Sequence, residues 1–194
     1  MGGMIADIQS GTRGIWAMLA FKEGWRTHFD VSADGFVRSF MAVIYALPAF
    51  VLLMVSANHV LAGLPGGADA QISLAGAVGQ YARIWLLFPV IAYVVVKVLG
   101  LKTGFSAWVV VHNWAVFVLL HVQALFWLLA AAGIANAEAL GLMLALYQII
   151  RLIVHWRVAA GALGLHWGLA AGAACIPLVI DALIVYGFAS ASGG

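Results

Sequence analysis

Apolar side chains run along this chain in five long blocks, at about 36–62, 74–99, 106–132, 139–158 and 167–190. A helix needs ~20 predominantly apolar residues to cross a bilayer, and each block is long enough. The blocks therefore predict five transmembrane helices. The breaks between them are Leu64-Pro65-Gly66-Gly67, Gly100 to Gly104, Gly133 to Asn136 and Gly161 to Gly164. Gly and Pro are the residues expected to interrupt helices. The breaks are short, so successive spans are expected to be antiparallel neighbours. The first span has a helix-start signal in Ser32-Ala33-Asp34.

The pattern before the first block is different. Met4, Ile5, Ile8, Ile15, Trp16 and Leu19 share one face of a helix, and Asp7, Gln9, Ser10 and Arg13 lie off it. This predicts an amphipathic helix at the membrane interface, weakened by Gly11 and Gly14. The chain then divides into a cytoplasmic amphipathic segment, 1–35, and a five-helix transmembrane domain, 36–194.

Composition agrees with the pattern. Of the 194 residues, 65% are hydrophobic and 8% charged. Soluble domains run at about 45–50% apolar and 25% charged. A water-soluble fold is excluded, and so is disorder, which requires low hydrophobicity and high charge. The net charge of +2 suggests no nucleic-acid partner. The single cysteine, Cys175, excludes an intramolecular disulfide and a CxxC motif.

The distribution of charge sets an orientation. Arg13, Lys22, Arg26, Arg38, Lys97, Lys102, Arg151 and Arg157 are eight of the nine basic residues, and five spans place all eight on one side. The opposite loops carry Asp69 and Glu138. By the positive-inside rule the amino terminus is cytoplasmic and the carboxyl terminus outside. Trp16, Trp25, Trp108, Trp156 and Trp167 fall near the inner boundary, as an aromatic belt would.

Ionisable groups inside a span are costly and usually face the bundle interior. Arg83 in the second span and Asp181 in the fifth each lie about 13 Å from the outer end, at ~1.5 Å per residue. Their matched depth predicts an interhelical ion pair. The fourth span carries Gln148, Arg151 and His155 on one stripe, and the third carries His112 and Asn113 at similar depth. This cluster reads either as interhelical hydrogen bonding or as a cytoplasm-facing cavity that binds an anion, with Arg151 as the fixed charge. His112 and His155 also raise the question of b-type haem, which needs two facing histidines on different helices. Helix count and ligand order argue against it, so no cofactor and no metal is expected. Pro48, Pro89 and Pro177 each interrupt a span and predict kinks.

The sequence has no HExxH, GxSxG or GxxxxGK[ST] motif and no paired carboxylates, which argues against an enzyme. Five spans, a cytoplasmic segment of some 35 residues, short loops and features such as Tyr81 to Pro89 resemble the Yip-domain family. The resemblance is architectural, covers the whole chain and carries over no functional residue. It implies a role in membrane organisation or trafficking. The Ala-, Gly- and Trp-rich composition resembles that of bacterial cytoplasmic (inner) membrane proteins.

The expected function is thus non-enzymatic: a scaffold, assembly factor or accessory subunit binding lipid, other membrane proteins or its own copies. A small transporter or channel unit using the intramembrane polar residues is the alternative, and b-haem electron transfer a second one. Charge reversal at Asp181 is expected to abolish accumulation of folded protein. Exchanging both charges, Arg83→Asp with Asp181→Arg, should restore the monodisperse peak in size-exclusion chromatography. A double variant as poor as the single one would rule out the ion pair.

Overall fold

The computed structural model describes residues 2–65, 67, 70–101 and 104–192, with side chains at all of these except 2, 177, 181 and 184–192. Asp69 and Lys102, and the side chains of Pro177 and Asp181, lie outside the described residues. All regular structure among the described residues is helical. In chain order it comprises α1 (Gly2–Leu19), a 3-10 turn (Trp25–His28), α2 (Ala33–Ser39), α3 (Met41–Ala62), α4 (Leu74–Val98), α5 (Phe105–Ala131), α6 (Ala137–Leu163) and α7 (Trp167–Ser192).

The helix starts follow from side-chain caps. Ser32, Ser73 and Asn136 each accept a hydrogen bond from the backbone N–H three residues on, at Gly35, Gly76 and Ala139. Each cap satisfies one of the orphan donors of a first turn. α2 and α3 divide the first predicted block, with Phe40 between them. α6 runs five residues beyond its predicted end at 158 and stops at Gly164, whose φ of 63° suits glycine. Gly161 does not break the helix. It sits where a Cβ would come within 2.5 Å of the Trp25 ring, so it marks a close contact rather than an end.

Four helical stretches are long and apolar enough to cross a membrane: Ala33–Ala62, α4, α5 and α6. The chain is a multi-pass membrane protein. The described apolar part of α7, Trp167–Ile180, is shorter.

α5 is the central helix. Every residue from Trp108 to Phe117 is buried, so this stretch is covered on all sides. It packs against α1, α2, α3, α4 and α6. α6 also packs on α7, and α7 on α4, so α4, α5, α6 and α7 close into a ring. α3 lies outside that ring against α5. The Tyr81 hydroxyl on α4 donates to the Val43 carbonyl on α3. At the far end of α3, Asn58 exchanges two hydrogen bonds with the backbone of Ile72, at 2.9 and 2.8 Å. That pair pins the connection between α3 and α4.

The amino-terminal segment forms a cap on one end of the bundle. α1 buries a stripe of Gly11, Ile15 and Met18, spaced by four and three residues. Of the predicted apolar face, Ile15 is in this stripe, while Met4, Ile5 and Trp16 are exposed. Gly11 and Gly14, expected to weaken α1, are what lets it dock. A Cβ on Gly11 would meet the Trp114 ring at 2.2 Å, and one on Gly14 the Phe29 ring at 2.5 Å. Two arginines tie the cap to α6. Arg26 donates to the Gly161 carbonyl at 2.8 Å, and Arg157 to the Met18 carbonyl at 2.8 Å. Arg157 also lies 4.0 Å from the Phe21 ring centroid. The aromatic belt is correspondingly smaller than expected. Trp25 and Trp108 are buried core residues, because Trp25 packs on Gly161 of α6 and Trp108 on Phe88 of α4, while Trp16 and Trp167 are exposed.

Asp30 fastens the start of α2. It accepts from the Ser32 N–H at 3.0 Å and from Arg38 at 2.8 Å. Hydrogen bonding from Ser32, followed by the Arg38 charge, holds its carboxyl below the usual carboxylate range. A depressed carboxylate favours the folded state above the unfolded value of about 3.9, and that contribution is lost as pH falls through the folded value. The cap should therefore loosen below about pH 4, seen as faster amide exchange in residues 30–39. Asp30→Asn should exchange faster at neutral pH and show little further change on acidification through this site. For the docking of α1, Gly11→Ala should cost ~1–3 kcal/mol by overpacking against Trp114. Gly3→Ala, with open space around it, should be neutral or slightly stabilising. Thermal unfolding in detergent compares the two.

Candidate functional site

Between α4, α5, α6 and α7 lies a partly open cavity of about 170 Å³. Its polar lining comprises Gln80 and Arg83 from α4, His112 and Gln123 from α5, and Tyr147, Gln148, Arg151 and His155 from α6. The apolar lining includes Leu87, Phe88 and Ile91 of α4, Trp108 of α5, and Ala174 and Leu178 of α7. Along α4 the lining runs from Gln80 to Ile91, about 16 Å of helix at ~1.5 Å per residue.

Helical spacing explains why these residues converge. On α6, Tyr147, Arg151 and His155 are each four residues apart and stack on one face. On α4, Gln80, Arg83, Leu87 and Ile91 do the same at spacings of three and four. On α5, Trp108 and His112 are four apart, and Gln123 returns to that face three turns later.

His112 lies at the centre of a stack. Its ring is parallel to Phe88, with centroids 3.3 Å apart and planes 3° from parallel. The ring of His155 stacks on it at 5.0 Å and 23°. Trp108 meets Phe88 edge-on at 5.2 Å. His112 is 6% exposed, and its Nδ1 is buried with no hydrogen-bond partner among the described residues. A buried polar atom of this kind usually has a partner, so an orphan calls for an explanation. The positive charge of Arg151 acts on Arg83, His112, Tyr147 and His155, which are the other titratable side chains lining the cavity.

The sequence-predicted groups rearrange on this geometry. Arg83, His112, Gln148, Arg151 and His155, expected as two separate sites, line one cavity. Asp181, the expected partner of Arg83, has its side chain outside the described residues. Asn113 does not join the cluster. One residue on from His112 it points about 100° away, and its Nδ2 donates to Ser39 Oγ at 2.9 Å. Ser39 in turn donates to the Phe36 carbonyl at 2.7 Å, so Asn113 locks α5 to α2. Gln80 was not singled out from sequence. Its signal was available, since it stands three residues before Arg83 on the same face.

The histidine pair does not fit haem. Axial ligands must reach an iron from opposite faces of a macrocycle. Rings stacked face to face at 5.0 Å leave no place for one between them. The cavity is also small: one of ~150 Å³ takes a single benzene. Among the described residues no group of three or more His, Cys, Asp or Glu could hold a metal ion. Comparison with protein-family profiles, with curated proteins and with solved structures returns no match to this chain.

Proposed function

We propose that this chain is a non-enzymatic membrane protein of five spans that works as a binding or carrier unit through the polar cavity between α4, α5, α6 and α7. α7 supplies the fifth span and closes the ring. The amino terminus is cytoplasmic and the carboxyl terminus outside, in a bacterial inner membrane. Arg26 and Arg157 support this orientation by tying the cap to one end of the bundle, where basic residues collect. α1 lies at the membrane surface, with the exposed Met4, Ile5 and Trp16 toward lipid and its buried stripe on the bundle. One observation carries the functional reading: polar side chains from α4, α5 and α6 converge on one cavity, among them His112, whose buried Nδ1 has no hydrogen-bond partner among the described residues. Ionisable groups inside a membrane commonly mark a substrate or ion pathway.

A second reading, a scaffold or accessory subunit, draws on the outer faces of the helices. Glycines at 79, 141 and 172 have open space where a Cβ would stand. Small residues on lipid-facing surfaces let another helix approach closely, from a partner protein or a second copy. Membrane organisation in the manner of Yip-domain proteins belongs to this reading.

Native mass spectrometry of the chain released from lipid separates the two. The binding reading predicts a small molecule near one per chain, absent from Ala174→Leu, whose larger side chain fills the cavity. A chain carrying a stoichiometric partner protein and nothing sensitive to Ala174→Leu would replace it with the scaffold reading.

A further inference from the structure

Away from the α4–α7 cavity, a second recess opens where the cap meets α6. It is lined by residues 21–26 of the cap and by Arg157 of α6. Lys22, Arg26 and Arg157 bring three positive charges to it, and Glu23 one negative charge. None of the three cations has a carboxylate within ion-pair distance among the described residues. Arg26 donates through Nε and Nη2 to the Gly161 carbonyl, at 3.3 and 2.8 Å, and Arg157 donates through Nη2 to the Met18 carbonyl. The Nε of Arg157 is buried with no hydrogen-bond partner among the described residues. The cap therefore anchors both guanidiniums on neutral acceptors and leaves their charge unanswered. Each is a fork of five donors that matches a phosphate, and each keeps donors beyond those bonds.

The wall of this recess also holds a strained residue. Among the described residues Phe21 is the one non-glycine with a left-handed backbone, at a φ of 56°. The Lys22 N–H bonds the Ala17 carbonyl and the Phe21 N–H the Met18 carbonyl. α1 thus ends in a Schellman motif with Phe21 where glycine is usual. A bulky side chain is strained there, and it gains little burial in return, being 65% exposed. Its ring centroid lies 4.0 Å from the Arg157 guanidinium, and it stacks on Trp167, also exposed, at 6.2 Å and 11°. Positive charge and exposed aromatic surface stand side by side.

Location selects the ligand. α6 has 27 residues, about 40 Å of helix against a hydrocarbon core of ~30 Å, so its last turns reach headgroup level. Arg157 stands about 9 Å before the end of α6 at Leu163. Basic pockets at this level suit anionic headgroups. A free phosphate ester would answer the charge and leave Phe21 and Trp167 in water, whereas a phospholipid also covers the rings with its acyl chains. We propose that the recess between the cap and α6 binds the headgroup of an anionic phospholipid, its phosphate at Lys22, Arg26 and Arg157 and its glycerol and upper acyl chain against Phe21 and Trp167.

The experiment titrates the full chain in dodecyl maltoside micelles with phosphatidylglycerol or phosphatidylcholine of identical acyl chains, and with glycerol 3-phosphate as the free phosphate ester. Native mass spectrometry counts the molecules retained per chain. Saturable retention of one phosphatidylglycerol, at least ~10-fold tighter than phosphatidylcholine, is the expected result. Arg157→Gln should remove it, but that variant would also release the bond to Met18. Lys22→Gln, at an exposed side chain, leaves the cap's ties intact and carries the test. It should weaken retention about fivefold, the ~1 kcal/mol expected of one basic residue at an anionic lipid surface. Glu23→Gln should tighten retention. Lys97→Gln changes net charge equally, at the end of α4 outside the recess, and should leave retention unchanged. Equal retention of the two lipids would overturn the proposal. So would a loss in Lys97→Gln as large as in Lys22→Gln, which would mark diffuse charge rather than a site. Glycerol 3-phosphate binding as tightly as the lipid would replace the phospholipid with a free phosphate ester.

Discussion

A guanidinium inside a membrane must be kept from hydrocarbon, and the arrangement of α4 to α7 depends on that constraint. Arg83 and Arg151 stand within helices that are mostly apolar. Lipid offers neither charge nor hydrogen bonds to such groups. Closing four helices into a ring turns both side chains toward one another's space and away from lipid. The carboxamides and Tyr147 then supply a polar lining, and the stacked rings of Phe88, His112 and His155 occupy the part of the ring toward the cap. The cavity is thus a result of the same packing that makes the arginines tolerable.

α5 is the post that this ring is built on, and the cap holds the post. Its stretch from Trp108 to Phe117 has helices on every side. Hydrophobic burial does not drive helix association within lipid, so close packing and hydrogen bonds must. The cap illustrates both. Gly11 and Gly14 let α1 approach Trp114 and Phe29 at distances no larger residue would permit. Arg26 and Arg157 bond backbone carbonyls rather than carboxylates, which ties segments more than 130 residues apart without requiring a second charge. Asn113 does the same for α5 and α2 through Ser39.

Much of the helical architecture was legible in the sequence because apolar runs and capping residues are local signals. Ser32 marked the start of α2, and the second and third blocks matched α4 and α5 to within a residue at each end. The end of α6 was misread because Gly161 resembles a helix stop, while its role is set by Trp25, far away in sequence. Gly11 and Gly14 have a second role that is hidden in the sequence for the same reason. A glycine that breaks a helix and one that admits a neighbour look alike until the neighbour is known. Five polar residues of the site, Arg83, His112, Gln148, Arg151 and His155, stand out in the sequence as exceptions to the apolar background, while Gln80 does not. The grouping of these residues does not stand out either, because depth along a helix can be counted from sequence whereas the helix neighbours cannot. Arg83 was assigned to one site and Arg151 to another, since only the closure of α7 onto α4 shows that the two share a cavity.

That closure has a consequence for how the protein is made. Ala174, on the wall that completes the ring, is synthesised 91 residues after Arg83. At ~5–20 residues per second the ribosome needs about 5–18 s to cover that distance. During that interval α4 must enter the membrane with its arginine facing an unfinished enclosure. Holding Arg83 near the insertion machinery, or snorkelling it to a membrane surface, would bridge the wait. A chain from which α7 has been removed would leave Arg83 without one wall of that enclosure.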